Sequence, residues 1–453
     1  MGLSKFIYEN IRLDDNRQLI SFDYTIETES DAYSLTETLK MPDSLPDNST
    51  VDRVLRALHI ALGISYYKTF LPATIDHAYS MTSAEADFWN NVFKNGLGEF
   101  LYKNGFNSDK LAKFSEQTGT IKPDVDDDIR WQETALLGIG GGKDSIVAGE
   151  LLKKLAILTT GFVLATGENK GQAQAVADTM QIEMLGIERR IDPQLLELNK
   201  LQSAYNGHVP ISLIFALVGC LSAVMKGSKY VVVANESSAS IPQVEHDGTP
   251  VNHQWSKSLE FEKSFQNFVH SNISENLDYF SLIRPLTSIA VAKLFAQYPN
   301  YFEVFTSDNS LFKIDAGERD HPRWSHESPK SLSSYILLSP WMSDEDVHKT
   351  FGYEFLDDFN LNNLFLGLLG KTETPILDCV GTPSELRLCL SMLFKNARFV
   401  ESALMKTSKN EGLIMENYEE PLKSALSPSE DHAIPTKVYT KLMLILSERG
   451  LRP

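Results

Sequence analysis

The sequence predicts an α/β protein. A parallel-sheet domain at residues 129–335 is flanked by an N-terminal α+β domain at 1–128 and a mostly helical C-terminal region at 336–453. Three observations predict it. Residues 20–26 alternate apolar and polar, the period of a half-buried strand. From Thr134, short apolar segments alternate with helical patterns, the signature of a parallel sheet covered on both faces. Beyond about residue 335, the apolar spacing is helical.

In chain order, Ile20, Phe22, Tyr24 and Ile26 form the buried face of the first clear strand. Pro42 and Pro46 mark a loop. A helix opens at Ser49-Thr50, with Val51, Val54, Leu55, Leu58 and Leu62 on one face and Gly63 as its expected C-cap. A second helix starts at Thr82, which with Glu85 has the spacing of a capping box. The acidic stretch Pro123 to Asp128 is expected to separate the first two domains. The parallel domain then reads strand (Thr134–Ile139), helix (Ile146–Leu155), strand (near Gly161–Ala165), helix (near Lys170–Met180), strand (near Ile182–Ile191), helix (near Val209–Lys226) and strand (Lys229–Ala234). Later helices are expected at Leu361–Leu369 and Ser384–Phe394, the latter capped by Thr382 or Ser384.

A net charge of -18 over 453 residues argues against a general nucleic-acid binder, because phosphate contacts need clustered Lys and Arg. A nucleotide ligand needs only a local positive pocket. Three cysteines (Cys220, Cys379, Cys389) cannot build a disulfide framework, and no CxxC pair is present. Met1 to Asp15 lacks the apolar core of a signal peptide. The longest apolar run, Ile211 to Met225, is shorter than the ~20 residues needed to span a bilayer. A cytoplasmic protein with no membrane or nucleic-acid partner is expected.

The sharpest chemical signal is Ile139-Gly140-Gly141-Gly142-Lys143-Asp144-Ser145, between a strand and a helix. Glycines let the backbone approach an anion, and the amides and dipole of a helix start favour phosphate. Lys143 adds positive charge, Ser145 a hydroxyl, and Asp144 a group suited to Mg²⁺ or to orienting the loop. The spacing is neither that of a Walker A loop nor that of a dinucleotide fingerprint. Asn235-Glu236-Ser237-Ser238 leaves the carboxyl end of a strand, where parallel sheets present ligand groups. Asn252-His253-Gln254-Trp255-Ser256-Lys257 gathers an imidazole, an indole and an ammonium, suited to proton transfer and to phosphate binding. The latter two clusters also fit a polar strand exit and a helix start. Asn206-Gly207-His208, Gly63 to Lys68, Arg284 and Thr306 to Ser310 are further candidates.

Gly140 to Ser145 resembles the PP-loop (SGGxDS) of adenylating enzymes, with Gly140 in place of the first Ser. That resemblance implies an adenine nucleotide alpha hydrolase-like domain cleaving ATP between its α and β phosphates. With LHIALGISYYK (Leu58 to Lys68), the stretch Asp192 to Ile211, NESSA (Asn235 to Ala239) and VNHQWSK (Val251 to Lys257), the chain resembles the UDP-N-acetylmuramoyl-L-alanyl-L-glutamate epimerase family. The resemblance implies ATP and Mg²⁺ as cofactors, a UDP-linked muramoyl dipeptide as substrate, and inversion of its terminal L-glutamate in peptidoglycan precursor synthesis. It puts Gly140, Gly141, Gly142, Lys143, Asp144 and Ser145 on the ATP phosphates, with Asp144 also near the metal, and Thr166 and Asn169 near adenosine. Tyr66, Tyr67, Lys68, His208, Asn235, Glu236, Asn252 and Arg284 would bind substrate. His253, Glu236, Lys257 and Lys143 would be catalytic, with His253 the leading base because its ordinary pKa lies near 6.5. The family pattern also implies a cysteine cluster ending in Pro-Lys-Cys, where this chain has Trp324-Ser325-His326-Glu327-Ser328-Pro329-Lys330-Ser331. Two other readings stay open: another PP-loop ligase or thiolase, and an inactive nucleotide-binding scaffold.

Overall fold

The computed structural model describes residues 4–118, 129–165, 171–246, 248–308, 323–373 and 375–452. The expected boundary at Pro123 to Asp128 lies outside them, as do Thr166, Asn169, Asn309 and Ser310.

The alternation at residues 20–26 appears as strand β2 (Leu19–Glu27), with Ile20, Phe22, Tyr24 and Ile26 buried. It lies between β1 (Lys5–Leu13) and β3 (Ala32–Lys40), antiparallel to both, and β4 (Thr74–His77) adds in parallel to β1. Helix α1 (Ser49–Tyr67) packs on this sheet, capped by Asn48, whose side chain accepts from Val51 N at 2.9 Å. Gly63 does not end the helix, which continues to Tyr67. A Cβ at Gly63 would lie 2.5 Å from Tyr8 Cε1 and 3.0 Å from Tyr24 Cε1. The glycine is there because two aromatic rings of the sheet press on the helix backbone. Helix α2 (Ser83–Gly96) is capped by Thr82, as its spacing predicts, but Glu85 turns to Arg56 at 2.6 Å. Helix α3 (Gly98–Asn104) follows directly.

The second half alternates strands and helices. The strands are β5 (Gln132–Gly138), β6 (Thr159–Ala165), β7 (Met184–Arg190) and β8 (Ser228–Val233), all parallel. The helices are α4 (Lys143–Lys154), α5 (Gly171–Met180), α6 (Pro193–Leu198) and α7 (Ile211–Lys226). A hairpin, β9 (Val244–His246) and β10 (Thr249–Val251), leads to α8 (Leu259–Asn272), edge strand β11 (Asp278–Ser281) and α9 (Ser288–Phe295). Beyond it the described residues contain only helices and turns, including α10 (Pro329–Leu338), α11 (Asp344–Phe351), α12 (Asn362–Leu368) and α13 (Pro383–Leu393).

All strands except the hairpin belong to one sheet, in the order β11-β8-β5-β6-β7-β3-β2-β1-β4. The halves meet where β3 pairs antiparallel with β7, Leu39 opposite Arg189. There Arg189 Nε donates to the buried Glu37 at 2.5 Å. From β5 the chain winds through β6 to β7, then returns to β8 on the other side of β5. The carboxyl ends of β5 and β8 therefore flank a switch point, where ligand crevices form in such sheets. Among the described residues, no helix is long and apolar enough to cross a membrane.

Gly63→Ala is expected to destabilise the fold by about 1–3 kcal/mol through overpacking against Tyr8. Urea unfolding with an unchanged midpoint would exclude this role for the glycine.

Candidate active site

The glycine loop leaves β5 at the switch point. Gly141 has φ +90, a conformation that favours glycine, and a Cβ there would meet Gln172 Cγ of α5 at 2.8 Å. Its carbonyl accepts Thr306 N at 3.1 Å, which pins the loop from behind. A Cβ on Gly140 would meet nothing within 4 Å, so this face is open. Gly142 is the N-cap of α4, and Ser145 Oγ closes the turn onto Gly142 O at 3.0 Å. Lys143 is buried with its Nζ 2.7 Å from Asp144 Oδ1. Burial alone would lower its pKa, but Asp144, then Glu236 and Glu385, hold it in the ammonium form.

Glu236 follows β8 and faces this ammonium. Its carboxylate accepts from Ser238 N at 2.7 Å, from Ser238 Oγ, and from Ser288 Oγ of α9 at 2.8 Å. Burial, then the carboxylates of Glu385 and Asp144, push its pKa up to about 7. Glu385 comes from α13, more than a hundred residues away. Its Oε2 completes a capping box with Thr382, while its Oε1 accepts Ser288 N at 2.7 Å.

The turn after β10 carries the remaining proton-active groups. His253 N donates to Gln243 Oε1 at 2.8 Å, and its Nδ1 bonds Glu99 Oε2 from α3. The same oxygen lies 3.4 Å from His208 Nδ1, so one carboxylate faces two imidazoles whose rings are 4.9 Å apart. Burial would raise the Glu99 pKa, but His253 and Lys103 bring it down to about 2. Lys257 Nζ donates to Cys379 Sγ at 3.2 Å, and Sγ donates to Gln254 Oε1 at 2.6 Å. The Cys379 sulfur is the leading influence keeping Lys257 charged. An imidazole nitrogen of His253, Cys379 Sγ and an Asp378 oxygen lie within 4.8 Å of one another, with Lys330 Nζ 3.4 Å from Asp378.

Of the sequence candidates, the structure brings together Gly140 to Ser145, Glu236, His253, Lys257 and His208. Arg284 is 1% exposed and acts from behind: it bonds Glu262 at 2.9 Å, Glu236 O at 2.8 Å and Lys257 O at 2.5 Å. Asn252 braces its own turn through Ala239 O and Gln254 N. The Asn235 backbone is tied to Ser281. Tyr66 and Tyr67 do not reach the cleft; both are fully buried, accepting Asp192 N at 3.1 Å and Ala112 N at 2.7 Å. They form the last turn of α1, which the expected Gly63 cap would have left free. Lys68 is also buried, against Asn206 Oδ1 at 3.0 Å, and burial lowers its pKa to about 8. The segment Trp324 to Ser331 is held by Asp308, which accepts from Ser325 N at 2.8 Å and Ser331 Oγ at 3.4 Å.

Glu99, Cys379 and Glu385 were not singled out as site residues from the sequence. Glu99 reads as one charge on an amphipathic helix. Cys379 sits in an irregular stretch between Pro375 and Pro383, where a reactive side chain between turn formers is a usable signal.

Burial, then His253, lowers the His208 pKa from 6.5 to about 4. The unfolded chain therefore protonates His208 first, and its contribution to stability, present above pH 6.5, is lost as pH falls toward 4. Relative to wild type, His208→Gln should gain roughly 1–3 kcal/mol in unfolding free energy between pH 7 and 4.5. Glu236 and the carboxylates titrate in both proteins and cancel. Parallel stability profiles would exclude a buried neutral His208.

Known protein families and curated relatives match most of the chain. Residues 2–282 match the MurL N-terminal domain model, and residues 304–420 the MurL C-terminal domain model. A UDP-N-acetyl-alpha-D-muramoyl-L-alanyl-L-glutamate epimerase of Xanthomonas oryzae pv. oryzae is 33% identical over 380 residues, 82% of each chain. The enzyme of that name from Salinispora tropica is 32% identical over 396 residues, covering 86% of this chain and 85% of the relative. That from a Micromonospora species is 33% identical over 399 residues, 85% and 86% of the two chains. With both family models matched in order and the relatives aligned over most of their length, the chain belongs to the MurL epimerase family.

Proposed function

We propose that this protein inverts the terminal L-glutamate of UDP-MurNAc-L-Ala-L-Glu through ATP-dependent adenylation of its carboxylate, releasing AMP and pyrophosphate. The observation that carries this reading is a convergence. A glycine loop at a helix start, with a buried ammonium, lies beside a glutamate whose pKa is pushed up to about 7, and its Asp144 also acts on Lys257, in the same turn as an imidazole oriented by a carboxylate.

The chemistry needs both parts. An α-proton beside a carboxylate is hardly acidic, because the carbanion would form next to a negative charge. Adenylation removes that charge and allows an enolate-like transition state, which positioned donors stabilise. The Gly140–Ser145 loop, read as a PP-loop, holds the phosphates, and Lys143 neutralises charge on them. Asp144 presents the hard oxygen donors that Mg²⁺ takes, and the ion when bound would add charge neutralisation at the phosphates. Burial and the neighbouring carboxylates push the Glu236 pKa up to about 7, and Glu99 orients the His253 imidazole, which suits one to take a proton and the other to return it. Arg284 holds the backbone of both Glu236 and Lys257, so the two sides of the cleft keep their spacing. We place the reaction in the cytoplasm, where ATP and nucleotide-linked precursors are made.

Incubation with ATP, Mg²⁺ and the UDP-linked dipeptide should give AMP and pyrophosphate in equal amounts, together with the UDP-linked dipeptide carrying D-glutamate. Lys143→Ala should lower pyrophosphate release by about 100-fold or more. His253→Ala should lose exchange of the α-proton with deuterated solvent. ADP as product, or AMP without inversion, would overturn the reading in favour of another ligase.

A further inference from the structure

Cys379 stands out because the adenylation scheme leaves it without a task. It is not an isolated thiol. Sγ is contacted by Lys257 Nζ at 3.2 Å and by Gln254 Oε1 at 2.6 Å, and a His253 nitrogen lies within 4.8 Å. Behind His253 stands Glu99, bonded to Nδ1. Thiol, imidazole and carboxylate thus follow one another as nucleophile, base and orienting group. The thiolate is the nucleophilic form of cysteine, and Lys257 places its ammonium 3.2 Å from the sulfur. The cluster is assembled from α3, the turn after β10 and the loop before α13, and Asp144 of the glycine loop is close enough to Lys257 to favour its ammonium form.

We propose that Cys379 accepts the glutamyl group from the adenylate, so that inversion takes place on an enzyme-bound thioester. This rests on the adenylation reading above. Sγ attacks the carbonyl carbon of the adenylated α-carboxyl group. The C–S bond forms, the C–O bond to AMP breaks, AMP leaves with the electron pair, and the thiol proton passes to His253. A thioester makes its α-proton more acidic than an oxygen ester does, since sulfur donates less into the carbonyl. Glu236 takes the Cα proton and passes it to solvent, and His253, which holds the thiol proton, returns a proton to the opposite face. Water then attacks the thioester: the C–O bond forms, the C–S bond breaks, and sulfur regains a proton through His253. ATP and water are the only co-reactants, and nothing is oxidised.

The test uses the full chain with ATP, Mg²⁺ and the UDP-linked dipeptide, quenched in acid within one turnover. Mass spectrometry of the peptide holding Cys379 should show an adduct of the substrate minus one water, released by hydroxylamine. In Cys379→Ala and Cys379→Ser, the ratio of D-glutamate formed to dipeptide-dependent ATP–pyrophosphate exchange should fall by about 100-fold or more. The exchange itself reports that each variant is folded. No adduct on the wild type, together with inversion by Cys379→Ala in wild-type ratio to exchange, overturns the proposal. So does loss of α-proton exchange in the variants with no adduct on the wild type, which would make the thiol a proton carrier. Absence of ATP–pyrophosphate exchange in the wild type defeats the adenylation reading itself, a separate result.

Discussion

A single buried guanidinium sets the spacing of the cleft. Arg284 reaches Glu262 on α8, the backbone carbonyl of Glu236 beyond β8, and that of Lys257 in the turn before α8. Both members of the Arg284–Glu262 pair are 1% exposed. Burying two charges is costly, and the contact is favourable only with close geometry and all remaining polar atoms engaged. Here the carboxylate also accepts Ser281 N at 3.0 Å, and the guanidinium spends its other donors on two carbonyls. The residues at the ends of those carbonyl segments are the ones that face the glycine loop.

The loop itself rests on a different constraint. Two features that would otherwise conflict, a buried lysine and a tight glycine turn, are reconciled by clustered carboxylates. Asp144, Glu236 and Glu385 each favour the ammonium of Lys143, and burial and mutual repulsion raise Glu236 in return. Charge at this end of the sheet is therefore balanced among one ammonium and three carboxylates.

Local chemistry was readable from the sequence, and distant pairing was not. The strand–loop–helix at Gly140 to Ser145 is encoded by neighbours in the chain, as are the alternation in β2 and the Thr382–Glu385 cap. Gly63 was misread because a glycine near the end of an apolar run usually ends a helix; its actual partner, Tyr8, is over fifty residues away. For the same reason Tyr66 and Tyr67 looked available when they are core. The pairing of β3 with β7 joins residues about 150 apart, and no periodicity reveals it. Cys379 and Glu385 reach the cleft through tertiary packing alone, so composition could report the cysteine only as a sign of compartment.

Glu385 caps two helices with one carboxylate, its own α13 and, through Ser288 N, α9. The interval between the two matched family regions, 283–303, therefore looks like a seam in the alignment but is not one in the molecule. A split within it, anywhere after Ser288, would yield one fragment with a helix start lacking its acceptor and another with a carboxylate lacking its second donor. Neither piece would hold a complete cleft, since the loop and Glu236 would travel with the first and Cys379 with the second. The two regions are thus joined by hydrogen bonding as well as by chain connectivity.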